Sequence, residues 1–155
     1  MRYKGRFKPK NRDKYLGDIT NIIYRSGLEL AVMFWCDKQD GVIAWCSEDI
    51  VIPYLCPTDN RIHQYFVDFL IKFSNDQIVI VEVKPYRQTL EPILKTKKPG
   101  RRYLKETYTY IKNQAKWAAA RDYAKFKGWT FEIWTESQLK ERGIKVIGQF
   151  DAKSK

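Results

Sequence analysis

The chain has a single histidine, His63, and three cysteines, Cys36, Cys46 and Cys56, none of them in a C-x-x-C pair. A disulfide or zinc framework is not expected from so few ligands, and the thiols read as small buried hydrophobes in a reducing compartment. No apolar run approaches the ~18 residues of a membrane span, so no membrane partner is expected. The opening residues MRYKGRFKPKNRDK carry charge with no apolar segment behind it, which argues against a secretory leader and for synthesis inside a cell. With 155 residues, one domain with a real core fits, and a separate recognition domain does not.

What the chain does have is positive charge, 29 Lys and Arg against 18 Asp and Glu, for a net +11. Its distribution is uneven. Residues 1–14 carry seven bases and one acid, residues 15–83 four and ten, residues 84–127 thirteen and three, and residues 128–155 five and four. Two basic blocks around an acidic middle suit a polyanion held by Lys and Arg while clustered carboxylates hold cations. A merely solvated surface explains the same composition, so motifs have to decide.

Residues 1–14 place a base at every second position and cannot bury enough to fold alone, so they read as a flexible or partner-docked arm before a domain over 15–150 and a short tail over 151–155. Ser26-Gly27-Leu28-Glu29 has the form of a capping box and opens a helix through Leu30 to Cys36. Val51 to Tyr54 reads as a short edge strand, and His63–Phe73 and Ile78–Lys84 as a hairpin. Residues 86–100 read as a loop. A helix follows from Tyr103 to Lys127, with Leu104, Tyr108, Ile111, Ala115 and Ala118 as its buried stripe and Gly128 as its stop. Lys105, Lys112 and Lys116 fall on a basic side. Trp129–Trp134 is a strand, Thr135-Glu136-Ser137-Gln138 caps a short helix, and Ile144–Phe150 is a candidate last strand. The order is helix, three strands, helix, strand.

Ile78-Val79-Ile80-Val81-Glu82-Val83-Lys84 is apolar on both faces until Glu82, the pattern of a covered central strand. Burying an unpaired carboxylate costs several kcal/mol, on the order of 3–5, so Glu82 requires a metal, a base or a proton. Asp68 poses the same problem as the one charge in Tyr65–Ile71. If residues 74–76 form the turn, Phe73 pairs with Gln77 and Asp68 stands directly opposite Glu82. Like charges across a ladder repel, so a cation between them is implied. Lys84 lies on the same side as Glu82, and Pro85 ends the strand there, at a rim a substrate can reach. An all-oxygen site suits Mg²⁺ or Mn²⁺ rather than zinc. The competing reading is a buried Glu82–Lys84 ion pair without chemistry.

The order Glu29, Asp68, Glu82-Val83-Lys84 resembles the PD-(D/E)XK nuclease superfamily, with Val67 where the motif's proline usually stands. The resemblance implies an α/β (α+β sandwich) fold with an αβββαβ restriction-endonuclease-like core and a Mg²⁺- or Mn²⁺-dependent deoxyribonuclease. It implies Glu29, Asp68, Glu82 and the Val83 carbonyl as metal ligands and Lys84 as the group that positions the attacking water. For Glu29, a capping box also explains the residue without a metal, and the ligand role is the favoured reading.

At closer range, Tyr24–Glu29, Tyr65–Leu70, Glu82-Val83-Lys84-Pro85, Asn113–Trp117 and Phe131–Glu136 resemble the TnsA-type endonuclease branch, and within it the head-completion nucleases of large tailed phages. That implies DNA as substrate, phage head or portal proteins as partners, and a place in the host cytoplasm or the virion; since one site cuts one strand, cutting both takes a homodimer or two visits. Gln114 is a candidate supporting residue. Arg2, Lys4, Arg6, Lys8, Lys10, Arg101, Arg102, Lys105, Lys112 and Lys116 are candidate DNA contacts. A non-catalytic virion protein and a nuclease subunit of a transposition complex are the alternatives.

Overall fold

The computed structural model describes residues 4–146. Its elements in chain order are β1 (Gly5–Arg6), β2 (Ile23–Tyr24), α1 (Gly27–Lys38), β3 (Val42–Ser47), β4 (Val51–Cys56), β5 (Arg61–Phe66), β6 (Phe69–Phe73), β7 (Ile78–Val83), α2 (Arg101–Lys127), β8 (Thr130–Trp134) and α3 (Glu136–Glu141), with 3-10 turns at Arg12–Lys14 and Tyr86–Thr89. The central sheet runs β3-β6-β7-β8, antiparallel except for the parallel β7–β8 pair. With α1 ahead of β3 and α2 crossing from β7 to β8, the αβββαβ core is the expected one.

Strand alternation splits the core into two layers. Phe69, Ile71, Val79 and Val81 pack with Val32, Met33 and Cys36 of α1. On the other face, Leu70 and Ile80 pack with Trp117, Ala120 and Ala124 of α2 and with Ile52, Tyr54 and Tyr65 of the β4–β5 ribbon. From Val79 on, β7 is buried throughout, as a strand covered on both sides must be. Each such apolar side chain contributes about 1.5–3 kcal/mol by leaving water.

Several expectations are corrected. The first strand of the sheet is β3, which the sequence reading passed over, and Val51–Cys56 belongs to a separate two-stranded ribbon with β5. The single strand expected over His63–Phe73 is two, broken at Val67-Asp68, where Val67 N–H donates to Ile50 O and Glu48 N–H to Asp68 O. No Gly or Pro marks that break; competing partners on either side of it impose it. In α2 the buried residues are Asn113, Trp117, Ala120 and Ala124, while Leu104, Tyr108, Ile111 and Ala118 are exposed. The expected stripe was two positions off, about 200° around the helix and so nearly on the opposite face. Ile144 is buried, but residues 144–146 form no strand, and 147–155 lie outside the described residues.

The basic arm is likewise no free segment from Gly5 onward. β1 pairs with β2, and Phe7 is 4% exposed in the α1-side core. Buried Asp37 of α1 accepts the N–H groups of Lys10 and Asn11, both at 2.9 Å, and Lys14 Nζ donates to Gln39 O at 2.7 Å. Phe7 supplies the buried area that the base-rich pattern concealed. Hydrogen bonds to a charged group are worth about 1.5–3 kcal/mol, so Asp37→Ala is expected to lower unfolding free energy in urea by about 2–4 kcal/mol. It should also expose the 8–12 segment to limited proteolysis; an unchanged cleavage pattern would show that Asp37 does not hold it.

Candidate active site

The β6–β7 register pairs Phe69 with Val81 and Leu70 with Ile80, and continued by one residue it brings Asp68, just ahead of β6, to the level of Glu82. The turn is the expected three-residue loop, with Phe73 N–H donating to Gln77 O at 2.9 Å and Asp76 in the left-handed region at φ 69°. Asp68 stands at the strand break with its Oδ2 accepting the Val83 N–H at 2.8 Å. Alternation places Asp68, Glu82 and Lys84 on the face of the sheet that carries Leu70 and Ile80. Lys84 N–H donates to Trp134 O at 3.0 Å, the last rung before Pro85.

Glu82 is 7% exposed, and both its oxygens are engaged. Oε2 accepts from the Tyr65 hydroxyl at 2.6 Å, and Oε1 lies 3.6 Å from Lys84 Nζ. Burial first, and then the Glu82 charge, push the Tyr65 phenol far above its ordinary pKa, so it remains a donor. Tyr65 carries no site signal of its own in the sequence, and only the packing of β5 on the sheet makes it a site residue. Lys116 is also inside rather than on the outer basic side. It is half-buried with Nζ 5.7 Å from the centre of the Tyr65 ring, its pKa lowered by burial against the attraction of Glu82.

Glu29 arrives from the first turn of α1. Its N–H donates to Ser26 Oγ at 3.1 Å, so it is part of the cap, yet its carboxylate is held by Arg25 N–H at 3.1 Å and is close enough to Asp68 to raise that group's pKa. Burial, more than any neighbour, raises the pKa of Glu29 itself. Arg25 in turn forms a two-pronged pair with Glu48, both contacts at 3.0 Å. Glu48, at φ 57°, is a non-glycine residue in the left-handed region, a conformation that costs on the order of 1–3 kcal/mol and needs support from its surroundings. Arg25 lies within the Tyr24–Glu29 stretch but was given no role there, and no motif pointed to Glu48.

Burial, then Glu82, then Glu29 raise the Asp68 pKa well above the ordinary carboxylate value, against the Val83 N–H and Lys84. Asp68 thus feels two further carboxylates, and the donor set of the three is all oxygen. That set fits a hard divalent cation. Among the described residues, the one group of three or more His, Cys, Asp or Glu with ligand atoms within 4.8 Å of one another is Cys56, Asp59 and His63, not this trio.

The remaining site candidates scatter. Gln114 is exposed and its neighbour Asn113 takes the buried position, which corrects the expectation that Gln114 supports the site. Arg101, Arg102, Lys105 and Lys112 lie exposed along the first half of α2, and Lys4, Arg6, Lys8 and Lys10 are exposed along the strap. Arg2 lies outside the described residues.

A mixed sheet between α1 and α2, with paired carboxylates and a lysine at its rim, defines a nuclease of the restriction-endonuclease-like class. Residues 39–136 match the family described as TnsA-like endonuclease N terminal, and the chain belongs to that family. It is also 39% identical over 148 residues to the head completion nuclease of Enterobacteria phage T4, a match that covers 94% of this chain and 99% of that one.

A carboxyl with a raised native pKa keeps a proton that the unfolded chain has released, so metal-free stability falls as pH rises from the ordinary carboxylate value through the raised one. Asp68→Asn is therefore expected to melt higher than the parent at neutral pH in chelator, by about 2–4 °C per kcal/mol recovered, and to lose any rise in Tm on adding Mg²⁺. A lower Tm in chelator would contradict the charge account. Tyr65→Phe leaves Glu82 Oε2 without its donor and should slow DNA cleavage by about 10–100-fold, read as kcat in a sample whose circular dichroism matches the parent.

Proposed function

We propose that this chain is a divalent-metal-dependent DNA endonuclease of PD-(D/E)XK type that processes packaged phage DNA during head completion. The observation that carries this reading is the convergence of Asp68, Glu82 and Lys84 on one face at the end of β7, opposite each other in register and open to the rim. Identity of 39% with a head completion nuclease over nearly the whole chain supports the biological setting.

Asp68, Glu82 and the Val83 carbonyl would hold Mg²⁺ or Mn²⁺, with Glu29 as a further ligand from α1. When bound, such an ion neutralises a phosphoryl oxygen and makes water more acidic. The chain's own groups do the rest. The Val83 N–H fixes Asp68, Tyr65 fixes one oxygen of Glu82, and Lys84 orients the attacking water and stabilises the negative charge that develops on the phosphate. Lys116, held over Tyr65 on the same side, adds a second positive charge near the scissile group.

Arg101, Arg102, Lys105 and Lys112 lie along one helix, and Lys4, Arg6, Lys8 and Lys10 on the N-terminal segment; both sets grip the DNA backbone, and Arg2 is a further candidate contact outside the described residues. Backbone contacts position without reading sequence, so targeting comes from a partner such as a phage head or portal protein. One centre cuts one strand, and a double-strand break takes a homodimer or two visits. The chain acts in the host cytoplasm or in the assembling virion. Among the described residues no helix is long and apolar enough to cross a membrane.

Supercoiled plasmid incubated with the purified chain should be nicked or linearised in Mg²⁺ or Mn²⁺ and left intact in chelator, with Asp68→Ala and Lys84→Ala slowed by about 10³-fold or more. Equal, metal-independent integrity of the DNA with wild type and both variants would remove the enzyme reading.

A further inference from the structure

A second cluster of metal-ligating side chains lies at the tip of the β4–β5 ribbon. Cys56 ends β4, Asp59 sits in the turn over residues 57–60, and His63 is the third residue of β5. The ladder pairs Tyr54 with His63 and Cys56 with Arg61, so Cys56 and His63 are diagonal neighbours on one face of the ribbon. Asn60, at φ 56°, folds the turn back on itself. Asp59 Oδ1 is taken by the Arg61 N–H at 3.0 Å, which leaves Oδ2 facing His63 Nε2 at 2.6 Å. Tyr54 lies alongside the imidazole with ring centres 5.9 Å apart. The thiol, carboxylate and imidazole atoms all fall within 4.8 Å of one another.

We propose that Cys56, Asp59 and His63 form a binding site for a zinc-class transition-metal ion, with its fourth tetrahedral position open to water. Thiolate, imidazole and carboxylate are the three zinc ligand types, and Zn–S near 2.3 Å with Zn–N and Zn–O near 2.0–2.2 Å sets tetrahedral ligand atoms about 3.4–3.6 Å apart. The three atoms reach that spacing by small rotations. Asp59 and His63, whose side chains are 41% and 42% exposed, part by about 1 Å from their present contact. Cys56 is buried with its sulfur 3.1 Å from Thr58 Oγ1 and presents that sulfur from the protein side, so an ion enters from solvent past the two exposed ligands and displaces the hydroxyl contact. A thiolate and a carboxylate balance a dication, leaving Arg61 across the ladder no net positive charge to oppose.

The sulfur ligand separates this site from the oxygen-only carboxylates at Asp68 and Glu82. Mg²⁺ has little affinity for such a donor set, whereas zinc, copper and nickel favour it. An ion here ties the two strands of the ribbon at their turn, and β5 is the strand that carries Tyr65 to Glu82. The spacing C-x2-D-x3-H contains no paired thiols or histidines, and only the doubled-back turn brings the ligands together.

The test uses the full chain, stripped of metal and titrated with Co²⁺ as spectroscopic probe and Zn²⁺ as competitor. A single equivalent of Co²⁺ should give a sulfur-to-cobalt charge-transfer band with the strong visible absorption of tetrahedral cobalt, both bleached by Zn²⁺. Cys56→Ser should abolish the charge-transfer band, His63→Ala and Asp59→Ala should weaken Co²⁺ binding by about tenfold or more, and Glu82→Gln should leave the spectrum unchanged. Absence of the charge-transfer band, its survival in Cys56→Ser, or its loss in Glu82→Gln overturns the proposal. Should Cys56→Ser fail to fold, the exposed positions decide: parental Co²⁺ affinity in His63→Ala and Asp59→Ala overturns it as well.

Discussion

Asp68, just ahead of β6, and Glu82 on β7 lie close enough for one charge to act on the other, and two such carboxylates repel unless something positive joins them. Most of the local structure answers that constraint. The Val83 N–H, given up by the ladder at the strand break, goes to Asp68; the Tyr65 hydroxyl goes to one oxygen of Glu82 and Lys84 stands by the other. These contacts moderate the repulsion without cancelling it, since burial and two carboxylate neighbours still raise the Asp68 pKa. The residual imbalance is what a hard dication would neutralise.

The fold places that charge where it is both constrained and reachable. β7 is covered on two faces until its end, so Glu82 inherits a rigid, dry setting. Pro85 then removes the next donor and the chain turns out into an exposed loop. On one side α1 contributes Glu29 from its first turn, so a single residue serves the helix cap and faces the site. On the other side the β4–β5 ribbon and α2 bring Tyr65 and Lys116, residues from separate elements that meet only because the ribbon packs on the helix.

Much of this was legible in the sequence because it rests on short-range rules. The register of Asp68 with Glu82 followed from a three-residue turn and a side-chain period of two. The Ser26 and Thr135 caps and the Gly128 stop followed from local backbone needs. The missed features were long-range. β3 has no clean alternation, because its later residues are buried on both faces, and the break at Val67-Asp68 comes from two sheets claiming one strand. The buried stripe of α2 was misjudged by two positions because Leu104, Tyr108 and Ile111 are apolar yet lie on the half of the helix that the sheet does not cover.

By itself, then, the amino-acid order determined the αβββαβ succession, the facing carboxylates and the lysine two residues on. Backbone geometry repeats every two or 3.6 residues whatever else the chain does. Tertiary structure alone decided which groups surround that pair. Tyr65 became a donor to Glu82, Lys116 moved from an outer face to the site, Phe7 anchored a base-rich strap, and Cys56 met His63 across a turn. Each depends on contacts between residues that no local period relates, and such contacts exist only once the layers have packed.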